Sequence, residues 1–222
     1  MSSPRTALVL GSTGGLGGSI SVQLQAAGVD VLAHGHRSMS LPPGCLAAGF
    51  ADLTTEAGRR EVVSLAMIAP PPVVFMSFGA VGFAPLHATA DHDLQRLFEV
   101  NAVAPLLVLR DLAPLLPAQA SVVFLPGAIV DAPMLGLSGY AASKSALAAA
   151  IKVLRREYRN LRLLDARPPH TETGFASRAL FGTPPKLPTG LDPDHVAAVL
   201  VHAALTPEHP IDLPSGAFLH DR

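Results

Sequence analysis

Ala7-Leu8-Val9-Leu10-Gly11-Ser12-Thr13-Gly14-Gly15-Leu16-Gly17 is the stretch that decides the fold. Four apolar residues ending in glycines predict a buried strand that turns sharply into a helix. Gly11 supplies the turn, Gly15 leaves room for backbone to approach a pyrophosphate, and Gly17 lets the helix pack closely on the strand. An anion at that helix N-terminus meets unpaired N–H groups and the positive end of the helix dipole. The spacing G-x-x-x-G-x-G differs from G-x-G-x-x-G, and no Gly-Lys-Ser/Thr follows, which disfavours an NTP-hydrolysing P-loop.

Outward from that turn, apolar strand-like runs recur at Ala7 to Leu10, Val29 to Ala33, Val73 to Met76, Ser121 to Leu125 and Leu161 to Ala166. Helix-like segments lie between them at 15–27, 54–68, 91–116, 139–160 and 192–205, the third interrupted by Pro105 and Pro114. This alternation predicts an α/β chain: one Rossmann-like domain over residues 1–222, a doubly wound parallel sheet with helices on both faces. The ligand crevice is expected at the C-terminal ends of its strands. Residues 170–192, rich in proline and glycine, read as a substrate loop.

Hydrophobic residues make up 49% of the 222 and charged ones 15%, enough for a sheet covered on both faces and too few charges for disorder. A formal net charge of −1 offers no basic field for nucleic acid. Cys45 is the only cysteine, so no internal disulfide forms, and a reducing cytoplasm is the expected compartment. No apolar segment reaches bilayer-spanning length, and neither a membrane nor a metal centre is expected.

Tyr140 and Lys144 stand four apart, on one face of a predicted helix. An ammonium beside the phenol is expected to lower its pKa and make Tyr140 a usable acid/base. No acidic residue ends the second strand to accept ribose hydroxyls; Arg37 follows instead and suits a 2′-phosphate, favouring NADP(H) over NAD(H). Ser12 and Thr13 are candidate donors to the same phosphate. Asp52, taken alone, reads as a capping aspartate between loop and helix.

Taken in order, these elements resemble the short-chain dehydrogenase/reductase family over nearly the whole chain. Gly11, Gly15 and Gly17, with Leu16 between them, resemble its cofactor turn, and Asp52-Leu53 its adenine-contacting pair. Met76-Ser77-Phe78-Gly79 stands where the family has Asn-Asn-Ala-Gly and keeps only Gly79. Asn101 resembles its central-helix asparagine, Tyr140 and Lys144 its catalytic pair, and Pro168 to Thr173, with Thr171, its nicotinamide loop.

The resemblance implies hydride transfer between a nicotinamide and a carbonyl or alcohol carbon. Tyr140 would exchange the proton, Lys144 would hold the nicotinamide ribose, and Asn101, in a helix kink, would position a relay water. The family's usual serine is replaced by Gly127, which carries no hydroxyl. Ser138 and His170 are the candidate substitutes. The departure keeps two other readings open: a dinucleotide-binding sensor or partner subunit without turnover, and a non-redox acid/base enzyme for dehydration or cyclisation. The alanine-rich helix after Tyr140 is apolar around more than one stripe, so a homodimer or homotetramer is expected.

Overall fold

The computed structural model describes residues 6–36 and 43–219. Seven strands form one parallel sheet: β1 Thr6–Leu10, β2 Asp30–Gly35, β3 Ala47–Phe50, β4 Val73–Met76, β5 Ser121–Phe124, β6 Arg162–Ala166 and β7 Asp212–Leu213. Their order is β3-β2-β1-β4-β5-β6-β7, so the winding reverses between β1 and β4. That switch point is where an open α/β sheet leaves a crevice.

Strand periodicity divides the interior in two. Ala7 and Val9 face one core with Ile20, Leu24, Val196 and Leu200, whereas Leu8 and Leu10 face the other with Val62, Leu65, Val108 and Ile151. The first core lies beneath α1 (Gly15–Ala26) and α6 (Pro193–Leu205). The second lies beneath α2 (Glu56–Ile68), α4 (Ala104–Leu112) and α5 (Ser138–Glu157). Each fully buried leucine contributes about 2 kcal/mol, so the doubly covered sheet carries most of the stability.

Side-chain caps set two helix starts. Thr55 accepts the Gly58 N–H at 3.0 Å to open α2, and Asp192 accepts the Asp194 N–H at 2.9 Å, followed by Pro193 at the first turn of α6. The expected helix over 91–116 is instead four pieces. α3 (Asp91–Phe98) runs into a π turn at Glu99–Val103, then α4 and a 3₁₀ turn at Ala113–Leu115. Pro105 has no N–H to give the Asn101 carbonyl four residues earlier, and Pro114 closes the segment. The helix expected over 139–160 ends at Glu157.

β3 has no counterpart among the expected strands. Its Ala-Ala-Gly-Phe sequence forms the sheet edge and leaves Ala48 and Phe50 exposed. The short final strand pairs with Asp165 and Ala166 of β6. Among the described residues no helix is long and apolar enough to cross a membrane.

Candidate active site

A cleft of about 680 Å³ opens beyond the C-terminal ends of β1, β4, β5 and β6, walled by Gly14 and Gly15, Ser77 to Gly79, Leu125, Gly127 to Ile129, and Pro168 to Arg178. Tyr140 and Lys144 reach it from the first two turns of α5.

The glycine turn is shaped by three close approaches. Gly11 has φ +87°, and a Cβ there would stand 2.7 Å from the Ser77 carbonyl oxygen. A Cβ on Gly17 would overlap the Gly11 carbonyl, and one on Gly15 would meet the Thr173 carbonyl oxygen at 2.7 Å. α1 begins without a side-chain cap and without an acidic residue in its first turn. Its N-terminal N–H groups and dipole therefore remain available to an anion. Leu16 also lines the cleft while packing on the core below.

Ser12 is placed differently from the expectation. It is buried, and both its N–H and its hydroxyl donate to the His34 carbonyl at 3.0 Å, which also accepts the Gly11 N–H. Its hydroxyl ties the turn to β2 and is not offered to a phosphate. Thr13 remains half-buried against Gly35, at the end of β2. Arg37 lies outside the described residues.

Asp52 follows β3 and binds within the protein. One carboxylate oxygen accepts the Thr54 N–H at 2.9 Å and hydroxyl at 2.7 Å; the other accepts Arg96 Nη2 at 2.9 Å. Burial pushes the carboxyl up, but these bonds outweigh it and hold it down to about 2. Arg96, on α3, carries no sequence motif and was not among the expected residues. Leu53 is buried in the α2–α5 core.

Lys144 is buried and donates to the Leu125 carbonyl at 2.9 Å, with Nζ 5.9 Å from the centre of the Tyr140 ring. Burial pushes the ammonium down to about 8 and raises the Tyr140 phenol. The expected lowering of the phenol is therefore absent here: the same low-dielectric surroundings penalise both charged forms. Gly79 keeps the space beside Lys144 open, since a Cβ there would lie 3.4 Å from Nζ and 3.1 Å from Asn101 Oδ1. The Phe175 ring stands 6.3 Å from the Tyr140 ring.

Asn101 sits in the π turn, as a helix-kink residue, but its side chain is fully engaged. Oδ1 accepts the Ala80 N–H at 2.9 Å; Nδ2 donates to the Ala80 carbonyl at 2.8 Å and to Ser143 Oγ at 3.0 Å. The carboxamide fixes the strand-end segment to α5 through Ser143.

The loop after β6 is drawn onto the cleft by its own backbone. Thr171 donates its hydroxyl to the Pro169 carbonyl at 2.9 Å, Thr173 donates its N–H to the Thr171 carbonyl at 2.8 Å, and Pro168 accepts the Ala128 N–H at 3.0 Å. Gly127 adopts φ +81° and donates its N–H to the Ala166 carbonyl at 3.3 Å. Of the two residues expected to stand in for a serine at position 127, Ser138 is exposed at the start of α5 and does not line the cleft. His170 lines the cleft, with Nε2 3.4 Å from Glu172 Oε1.

Comparison with known proteins places the architecture. The short chain dehydrogenase family matches residues 5–179. A short-chain dehydrogenase from Streptomyces avermitilis is 22% identical, with TM-score 0.83 over 99% of this chain and 92% of the other. An alcohol dehydrogenase from the archaeon Thermococcus sibiricus, complexed with 5-hydroxy-NADP, is 16% identical, with TM-score 0.80 over 96% and 97%. A short chain dehydrogenase from Burkholderia cenocepacia J2315, in complex with NADP, is 18% identical, with TM-score 0.81 over 96% and 88%. No curated protein matches the sequence.

Proposed function

The chain belongs to the short-chain dehydrogenase family, and from that premise we propose that it is an NADP(H)-dependent oxidoreductase acting on a carbonyl or alcohol, with Tyr140 as acid/base. The observation that carries the reading is one cleft holding the uncapped glycine turn, the open face of Gly79, and the Tyr140–Lys144 pair. The residues fit a dinucleotide: Gly14, Gly15, Leu16 and Thr173 would hold its diphosphate, and Gly79, Lys144, Pro168 and Thr171 its nicotinamide half. Thr13, Asp52 and Leu53 belong to the adenosine side. When bound, the group supplies a hydride to a carbonyl carbon or accepts one from an alcohol.

Tyr140 gives its phenolic proton to the substrate oxygen during reduction and takes it back during oxidation. Burial raises the phenol and keeps it protonated, so bringing it toward the working pH, where a general acid is efficient, falls to positive charge beside it, which Lys144 carries. Lys144, anchored on Leu125, sets the position of the charge beside it. Asn101 acts as a positioning residue by fixing the segment that carries Gly79. Preference for NADP(H) over NAD(H) rests on Arg37 after β2 and on the absence of an acid at the strand end. Two of the similar structures, which hold NADP or 5-hydroxy-NADP, agree with it.

Assembly into a homodimer or homotetramer is supported by the outer face of α5, where Ala142, Ala146, Ala149 and Val153 are exposed beside the exposed Val103 of the π turn. A cytoplasmic location fits the single cysteine.

The experiment is NADPH oxidation across a carbonyl panel, with Tyr140→Phe as control. Turnover at least about 10²-fold above that control is expected from loss of one acid/base group. Binding of NADPH without turnover above the control would replace this reading with the sensor or partner-subunit one, which Gly127 in place of a serine motivates. Arg37→Ala is expected to weaken NADPH and leave NADH unchanged.

A further inference from the structure

The two sides of the cleft differ in chemistry. Thr173 abuts Gly15, and Arg178 donates to the Thr173 carbonyl, on the side of the glycine turn, whereas the segments after β4 and β5 present Phe78, Val81, Phe83, Ile129, Met134 and Leu137. Gly127 adds no hydroxyl there, and the N–H groups of Gly127 and Ala128 are donated to Ala166 and Pro168. Tyr140 is therefore the hydroxyl that this side offers a substrate oxygen.

The apolar lining continues outward over the mouth. The Leu180 N–H donates to the Val81 carbonyl at 2.8 Å, the Phe83 N–H to the Phe181 carbonyl at 3.0 Å, and the Ala84 N–H to the Gly136 carbonyl at 3.0 Å. These bonds stitch three segments into one rim and place Leu86 (61% exposed), Met134 (46%), Leu135 (100%) and Leu180 (45%) on it. Four large apolar side chains facing water around an apolar cleft form a ligand surface.

We propose that the substrate is a carbonyl compound with an extended apolar tail, its oxygen at Tyr140 and its chain leaving the cleft across Met134, Leu135 and Leu180. The carbonyl end rests on the oxidoreductase reading; the grip on the tail does not. A short polyhydroxylated carbonyl compound finds no partners on this side for its hydroxyl groups, and burying them unpaired weakens binding.

The test is calorimetric binding of 2-pentanone and 2-decanone to the full chain with NADPH present, alongside turnover of both ketones. A fully buried methylene tightens binding about fourfold, so five partly covered ones are expected to favour 2-decanone by at least about thirtyfold. Leu135→Asp and Leu180→Asp, both at exposed positions, are expected to weaken 2-decanone by about fivefold or more and leave 2-pentanone unchanged. Equal affinities for the two ketones, or tighter binding of dihydroxyacetone, would overturn the proposal even if turnover is present. Steep chain-length dependence without turnover would uphold the tail site and overturn the oxidoreductase reading instead.

Discussion

The Asn101 side chain holds both polar groups of the Ala80 backbone: its Oδ1 accepts the Ala80 N–H at 2.9 Å and its Nδ2 donates to the Ala80 carbonyl at 2.8 Å. Asn101 is 1% exposed, so water cannot replace either bond. Asn101→Ala leaves a buried donor and a buried acceptor unpaired, at about 1–3 kcal/mol each. Urea denaturation is expected to show a loss of about 3 kcal/mol, and Asn101→Asp a larger one, because a carboxylate cannot donate to the Ala80 carbonyl. A loss under about 1 kcal/mol would mean that the clamp is not structural.

His34 is buried at the end of β2, and among the described residues neither ring nitrogen has a hydrogen-bond partner. Burial, aided by the nearby His36, pushes its pKa from 6.5 down to about 4. Between those values the unfolded chain binds the proton and the folded chain does not, so this group's contribution to stability falls as pH drops from 6.5 toward 4. His34→Leu removes the penalty. The stability difference between variant and wild type is expected to grow in the variant's favour by about 2 kcal/mol between pH 7 and pH 5. Denaturation curves at the two pH values that move in parallel would show that the imidazole finds a partner.

The distance between what β1 and β3 reveal in sequence explains how far the chain could be read. Ala7 to Leu10 is buried on both faces, so it is an unbroken apolar run ending in the glycine that the turn requires. Ala47–Phe50 sits at the edge and leaves alternate residues in water, so its composition carries no comparable signal. Tyr140 and Lys144 were legible because one helical turn brings them together. The Asn101 clamp and the Arg96–Asp52 pair join residues 21 and 44 apart in sequence, a proximity that only the packed sheet creates. Ser12 was misread for a related reason: its buried hydroxyl is claimed by the neighbouring strand, which sequence alone does not place beside it.

Lys144 keeps an ammonium where the protein interior disfavours one. Burial holds it down to about 8 against an ordinary 10.5, so between these values the unfolded chain binds more protons and stability rises with pH. Lys144→Met fills similar volume without the buried charge. The variant is expected to be at least as stable as wild type at pH 7, with a gain that shrinks by pH 10, while turnover falls below detection. Thermal denaturation at both pH values checks the first part and NADPH oxidation the second. Destabilisation by more than about 1 kcal/mol at pH 7 would show that the bond to the Leu125 carbonyl outweighs desolvation.

Gly127 is more than the absence of a serine. A Cβ there meets only the Pro168 carbonyl oxygen, at 3.9 Å, so space would admit a side chain, but φ +81° with ψ 163° is a backbone state that L residues rarely adopt. Placing a hydroxyl here by Gly127→Ser therefore forces either strain of about 1–3 kcal/mol or a turn of the backbone. Turning the backbone would break the Gly127 bond to Ala166 and disturb the adjoining Ala128 bond to Pro168. Gly127→Ser is expected to lower stability by about 1–2 kcal/mol and to leave kcat/KM for ketones unchanged or reduced. Urea denaturation and steady-state NADPH oxidation measure the two quantities. A rise in kcat/KM by tenfold or more, the direction expected for a restored oxyanion donor, would show that this loop can still present a hydroxyl to the substrate and that its glycine conformation is no barrier.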